Sequence, residues 1–331
     1  MKLLITGCFG FIGFNFLNEL FLSSSNDISV IGVDSLESVS SKKNSELLKN
    51  KKNFTFIEAN INNLKNEKID GIDLIINFAA ESHVDNSIYN PGLFIDSNVK
   101  GVSSLLNFAM DNDINKFLHV STDEIYGSTA SKYNIESDSY NPSSPYSASK
   151  ASAELILKSY EKTFGYKTII VRPANNYGIY QQPEKLIPFS IANLENGKNI
   201  EIYGNGENIR HWLHVTDTSS AILHIVEHGT DGEIYNIGSE YYLSNIEIAE
   251  KILFNLNLDR NRLEFVDDRP GHDFRYAVNI EKLKNLGWQP KANFDEEIEK
   301  IVNWYISNKE WWVKDYQNII ENKRTKRMGV Q

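Results

Sequence analysis

Five side chains within residues 121–150 have the types and spacing for proton chemistry. Thr122, Asp123 and Glu124 stand in a row, and Tyr146 and Lys150 follow four positions apart. Two carboxyls in one desolvated pocket do not both ionise readily, because the first charge raises the second pKa. Such a pair can hold one proton donor and one base. A phenol ionises near ~10 in water, so it needs a nearby positive charge to act as a base at neutrality. Lys150 lies one helical turn from Tyr146, on the same face.

The flanking sequence must bring these groups together. Residues 116–120 read as an apolar strand that stops at Ser121. In an open parallel sheet, ligands sit beyond the carboxyl ends of the strands. Ser144 suits an N-cap and Pro145 the first helical position, so a helix is expected over 145–164, with Gly165 as its stop. One obstacle remains. Consecutive side chains of a regular strand face opposite sides. Asp123 and Glu124 can share a pocket only if the strand ends before them.

The remaining pattern supplies a sheet and a second ligand. A strand over 2–6 runs into Gly7-Cys8-Phe9-Gly10-Phe11-Ile12-Gly13 and a helix to about Leu22. The next strand, 28–33, ends at Asp34. The glycine run alone could be a plain strand-to-helix turn. Followed by strand and acid, it suits a pyrophosphate on backbone amides and a ribose 2′-hydroxyl on Asp34, which favours NAD over NADP. Further strands at 54–58, 72–77, 116–120 and 168–172 alternate with helices. One of these helices is expected to start at Asn90-Pro91, carry Asn98 and run to Asp111. The fold class is α/β: a Rossmann doubly wound parallel sheet with a smaller C-terminal α/β substrate lobe.

After residue 173 the rhythm changes. Helices are expected near 184–197, 216–228, 245–255 and 294–307, strands at 200–203, 234–237 and 263–266, and a loop at 268–273. The expected division is 1–174 for the dinucleotide, with part of 209–238 returning to it, 175–322 mainly for substrate, and 323–331 as a basic, solvated tail.

A net charge of -10 argues against nucleic acid as a partner. One cysteine, Cys8, excludes an internal disulfide and a Cys-based zinc site. No stretch is long and apolar enough to cross a bilayer, and the N-terminus lacks a signal-peptide layout, so cytoplasm is the expectation. His211 and His214, or His224 and His228, have spacings a metal could use, but no carboxylates or cysteines converge on them in sequence, so no metal is expected. Trp304, Trp311 and Trp312 read as packing anchors.

With these residues laid out, the chain resembles the extended short-chain dehydrogenase/reductases and, among them, the nucleotide-sugar 4,6-dehydratases typified by the dTDP-glucose enzymes. The matching runs are G-F-I-G at 10–13, N-F-A-A-E-S-H-V-D at 77–85, S-T-D-E-I-Y-G at 121–127, S-S-P-Y-S-A-S-K at 143–150, P-E-K-L-I-P at 183–188 and D-R-P-G-H-D at 268–273. Departures include Cys8, Asn60, Asn86, Glu201 and His211, and the loop after Asp34.

The resemblance implies dehydration of a nucleotide hexose to its 4-keto-6-deoxy form with catalytic NAD. C4 is oxidised, water is lost across C5 and C6, and the hydride returns to C6. It assigns Tyr146 as base for the C4 hydroxyl with Lys150 beside it, Thr122 to the C4 oxygen, Glu124 to the C5 proton and Asp123 to the leaving C6 oxygen. It places Gly7, Gly10, Phe11, Ile12, Gly13, Asp34, Asn60, Ile61, Ala79, Ala80 and Asn98, with Tyr146 and Lys150, around the cofactor. It assigns Lys185, Arg210 and Arg269 to the diphosphate, and His83, Asn175, Tyr203, Asn245 and His272 to other substrate contacts. It implies a homodimer. UDP-glucose or UDP-N-acetylglucosamine as substrate, a 4-epimerase or decarboxylase, and a non-catalytic NAD-binding protein remain as alternatives. The Asp-Glu pair separates dehydratase from epimerase, and the intact Tyr and Lys argue against a non-catalytic role.

Overall fold

The computed structural model describes residues 1–23, 28–66 and 69–327. The first part of the chain builds β1 (Lys2–Thr6), α1 (Phe11–Ser23), β2 (Ser29–Asp34), α2 (Val39–Leu48), β3 (Phe54–Glu58), β4 (Leu74–Asn77), α3 (Val84–Tyr89), α4 (Pro91–Phe94), α5 (Gly101–Asp111), β5 (Lys116–Val120), α6 (Pro145–Phe164) and β6 (Lys167–Pro173). The rest builds β7 (Asn175–Tyr177), α7 (Leu186–Glu195), β8 (Ile200–Tyr203), β9 (Ile209–His214), α8 (Val215–His228), β10 (Ile234–Ile237), β11 (Tyr241–Ser244), α9 (Asn245–Asn255), β12 (Leu263–Val266), α10 (Glu281–Asn285), α11 (Phe294–Ser307) and α12 (Lys309–Arg327).

Seven parallel strands form the main sheet in the order β10-β6-β5-β4-β1-β2-β3. Alternation along β1 sends Leu3 and Ile5 to one face, with Phe14 and Leu17 of α1 and Ile222 and Ile225 of α8. Leu4 goes to the other, with Leu105 of α5 and Ala153 and Leu157 of α6. Both faces are covered, which is why β4 reads Leu-Ile-Ile-Asn with every residue buried. Strand order reverses between β1 and β4, so the loops after these two strands flank the crevice where a ligand can enter.

Three local outcomes matter for the site. Ser144 caps α6 in a reciprocal capping box with Ser147, and Gly165 ends the helix at φ 67° in the left-handed region. The helix expected from Asn90-Pro91 to Asp111 is one rod in which the wide turn Ile95–Lys100 joins α4 to α5. Asn90 makes no side-chain cap there, so Pro91 marks its start. The strand before Thr122 ends at Val120, and Asp123–Tyr126 is a single 3₁₀ turn. That turn removes the obstacle of alternating side chains.

The second lobe packs α7, α9, α11 and α12 around Ile191, Ile252, Ile301 and Trp312. It carries a sheet β11-β9-β7 and a parallel pair β12-β8. Strands β7, β9 and β11 escape the sequence reading because polar and aromatic residues interrupt them. β10 returns to the main sheet beside β6, and α8 lies against α1. The chain does not loosen into a solvated tail at residue 323 as expected. It continues as α12, and Lys323 pairs with Glu201 at 3.0 Å and lies over the Phe189 ring. Residues 328–331 of the basic tail lie outside the described residues.

Candidate active site

A cavity of about 580 Å³ lies along the carboxyl edge of the main sheet, within the range of small-molecule sites. Gly7, Gly10, Phe11, Ile12, Gly13, Asp34, Asn60 and Ile61 line one end, and Ala79 and Ala80 its middle. Thr122, Asp123, Glu124, Tyr146, Lys150, Asn175 and Lys185 line the other.

At the first end the backbone leaves no room for side chains. Gly7 has φ +64°, and a Cβ there would sit 2.5 Å from the Ala79 backbone nitrogen. A Cβ on Gly13 would sit 2.3 Å from the Gly7 carbonyl oxygen. Asp34 is held by backbone N–H groups of Phe9 and Leu36, each donating at 2.9 Å. A tight glycine turn, a helix N-terminus and a fixed acid at the end of β2 fit a dinucleotide. Asn98 differs from expectation. Its amide is fully engaged, donating to Glu81 O and Ser149 Oγ, both at 2.9 Å, and accepting from Glu81 N–H at 2.8 Å. It fixes the loop beside the cavity and does not line it.

At the other end the 3₁₀ turn brings Thr122, Asp123 and Glu124 to one cavity. Thr122 Oγ1 accepts from Glu124 N–H at 3.3 Å. Asp123 is buried, and its Oδ2 has no hydrogen-bond partner in the protein. Burial, reinforced by the Glu124 charge, holds the Asp123 carboxyl well above the usual carboxylate range. Burial also raises Glu124, but Arg269, Arg210 and Lys185 oppose the rise. The two neighbours therefore stand in different fields.

Tyr146 and Lys150 face the cavity from the first turns of α6. Burial and the Glu124 charge push the Tyr146 phenol up, and a hydrogen bond with Thr122 opposes the rise. Lys150 Nζ donates to Val120 O at 2.7 Å, and burial brings its pKa down to about 8.

The cations expected at a diphosphate lie on three different segments. Lys185 Nζ donates to Ser82 O at 2.7 Å. Arg210 lies over the Tyr276 ring at 4.6 Å, with Nη2 buried and unpartnered in the protein. Arg269 Nη1 pairs with Asp85 at 2.7 Å, and its Nε is likewise unpartnered. Tyr203 OH donates to the second Asp85 oxygen at 3.0 Å. Asp85 thus joins two expected substrate residues. Sequence reasoning missed this role because Arg269 lies 184 positions away.

His83 lies with Nε2 3.2 Å from Glu184 O. His272 pairs with Asp268 at 2.6 Å, and Asn175 Oδ1 is buried without a partner. Asn245 opens α9. Arg210, Arg269, Tyr203, His272, His83 and Asn245 stand outside the lining of the main cavity. Of the departures, Asn86 lines the cavity, Glu201 faces α12 through Lys323, and His211 is buried against Tyr242 at 4.2 Å between ring centres.

The model of the GDP-mannose 4,6 dehydratase family matches residues 4–301. The low-salt glycan biosynthesis protein Agl12 of Haloferax volcanii is 42% identical, covering 94% of this chain and 100% of its own. A dTDP-glucose 4,6-dehydratase of Escherichia coli is 39% identical, over 94% of this chain and 95% of its own. The structure of DesIV, the dTDP-glucose 4,6-dehydratase of Streptomyces venezuelae with NAD and TYD bound, superposes with a TM-score of 0.92 at 38% identity, covering 95% of this chain and 100% of that one. The chain belongs to the GDP-mannose 4,6-dehydratase family, and its match to the dTDP-glucose 4,6-dehydratases within it runs nearly end to end.

Proposed function

We propose that this protein is a nucleotide-sugar 4,6-dehydratase using catalytic NAD, with dTDP-glucose as substrate. The observation that carries the reading is the 3₁₀ turn, which aims two adjacent carboxyls at the cavity of Tyr146 and Lys150. NAD, when bound along the glycine turn and Asp34, supplies reversible oxidation of a sugar carbon. Tyr146 takes the C4 hydroxyl proton while Thr122 holds the oxygen. Asp123, kept protonated by burial and by Glu124, donates to the leaving C6 oxygen. Glu124, favoured as a carboxylate by three cations, removes the C5 proton. Arg210 and Arg269 each keep an unpartnered donor for the diphosphate. An epimerase has no step that uses both acids.

The names of the relatives favour dTDP-glucose over UDP sugars. The exposed Tyr89, Leu93, Ile95, Met110 and Leu155 on α3 to α6 suit a homodimer face. No helix among the described residues is long and apolar enough to cross a membrane. A nucleotide substrate and the free Cys8 suit the cytoplasm. The test is incubation of the protein with NAD⁺ and a panel of dTDP- and UDP-hexoses. A 4-keto-6-deoxy product from dTDP-glucose supports the reading, product from a UDP sugar alone reassigns the base, and no keto product from any sugar overturns it.

A further inference from the structure

The cavity continues past Asp34 into a recess that the proposed chemistry does not use. Glu37, Ser38 and Ser41 line it from the segment after β2 and the start of α2, and Asp315 and Asn318 line it from α12. Among the described lining residues the cations are Lys150 and Lys185, and both stand at the other end. The recess beside Asp34 is therefore acidic.

The first turn of a helix leaves backbone N–H groups without partners inside the helix, and its dipole favours an anion there. On α2 the first three helical donors are already taken. Val39 N–H and Ser40 N–H donate to the two Asp315 oxygens, at 3.0 and 2.8 Å, and Ser41 N–H donates to Ser38 Oγ at 2.9 Å. Asp315 itself is buried. The anion on this helix is thus a carboxylate of the chain's own, delivered by its last helix.

That placement bears on the choice between NAD and NADP. An acid at the end of β2 suits a ribose 2′-hydroxyl. A 2′-phosphate in its place adds negative charge and acceptor oxygens, and it needs N–H donors or an Arg or Lys to receive it. The helix N-terminus that follows Asp34 in the chain is that of α2, and Asp315 has filled it. Glu37 adds a further charge. Burial raises the Asp34 carboxyl, and the Glu37 charge adds to the rise, so the two acids feel each other.

We propose that Asp315 is a specificity-determining residue for the cofactor: it fills the donors of the α2 N-terminus with a carboxylate, denies a 2′-phosphate its receiving groups beside Asp34, and so restricts the site to NAD. Asp34 repels the phosphate, and Asp315 removes the donors that would offset that repulsion. The inference rests on the dinucleotide site at the glycine turn and Asp34, and not on the sugar or the reaction.

The test is displacement of NADH fluorescence from the full-length, NADH-loaded protein by NAD⁺ and, separately, by NADP⁺. The ratio of the two half-displacing concentrations reports discrimination against the 2′-phosphate, and a general loss of nucleotide affinity cancels in it. Wild type should need far more NADP⁺ than NAD⁺; equal displacement by the two overturns the proposal without any variant. Asp315→Asn and Asp315→Ser each remove the charge and keep an acceptor for α2. Either should lower the ratio about tenfold, as one charge removed beside a phosphate would. Trp311→Phe is the control. It removes the hydrogen bond from Trp311 Nε1 to Asn44 Oδ1, at 2.9 Å, another tie between α12 and α2, without changing any charge. Its ratio should stay at the wild-type value. An unchanged ratio in the Asp315 variants, or an equal fall in Trp311→Phe, overturns the proposal and leaves Asp315 as a clasp between two helices. These readouts stand even if no sugar in the panel is dehydrated.

Discussion

Glu154 and Arg172 form an ion pair at 2.6 Å with both side chains out of water, and the pair holds both ends of the Thr-Asp-Glu turn. Ser121, just before the turn, donates to Glu154, and Arg172 donates to the Tyr126 hydroxyl at its end. Tyr140 OH also donates to Glu154, at 3.0 Å. The turn therefore depends on charges that do not line the cavity. Removing one partner leaves the other charge buried alone. Arg172→Met should cost about 3–5 kcal/mol in urea unfolding, and Glu154→Gln in the same background should restore part of it.

The division between the two acids gives a second expectation. Glu124→Gln should abolish the keto product, and with it exchange of the C5 hydrogen with solvent, while reduced cofactor still appears on mixing with substrate. Asp123→Asn should lower kcat by about 10²- to 10⁴-fold, the usual worth of a positioned proton donor. Absence of reduced cofactor with Glu124→Gln would show that Glu124 acts before elimination.

Glu81 lines the same cavity, and burial, with the charges of Glu37 and Glu184, pushes its pKa from 4.5 to about 7. A raised folded value means that the folded state holds the proton more tightly. The associated stability is fully present below pH 4.5 and is lost as pH rises through about 7. Glu81→Gln should therefore gain stability relative to wild type above pH 7 compared with below pH 4.5, as read by urea midpoints across that window.

The last helix gives a fourth. Asp315 of α12 accepts from the backbone N–H groups of Val39 and Ser40, at 3.0 and 2.8 Å, and so caps α2 from the far end of the chain. Asp315, Asn318 and Asn322 line the cavity beside Ser38. Asp315→Ala removes a cap worth about 1 kcal/mol, and NAD should dissociate about fivefold faster in stopped-flow release. Turnover on bound cofactor should change little.

Much of this was legible because local rules and tertiary outcome agree. Ser144, Pro145 and Gly165 bounded α6 correctly because a capping box, a fixed φ and a left-handed stop act within a few residues. Glycine spacing and Asp34 located one end of the cavity for the same reason. What stayed hidden depends on distant partners. The 3₁₀ turn is held by Glu154 and Arg172, Asp85 gains meaning only from Arg269, and Asn98 is turned away from the cavity by Glu81 and Ser149. The stretch from residue 323 reads as a solvated tail because it is densely charged, and the partners of Lys323, Glu201 and Phe189, lie far away in sequence.

The α12 cap on α2 also bears on the order of events during synthesis. The glycine turn and Asp34 leave the ribosome early, yet the wall beside them is built by residues near position 315. A growing chain therefore has a dinucleotide cleft that stays open on one side until α12 emerges. Firm retention of the cofactor then waits for α12, and products cut short before that helix are marked by weak hold on it.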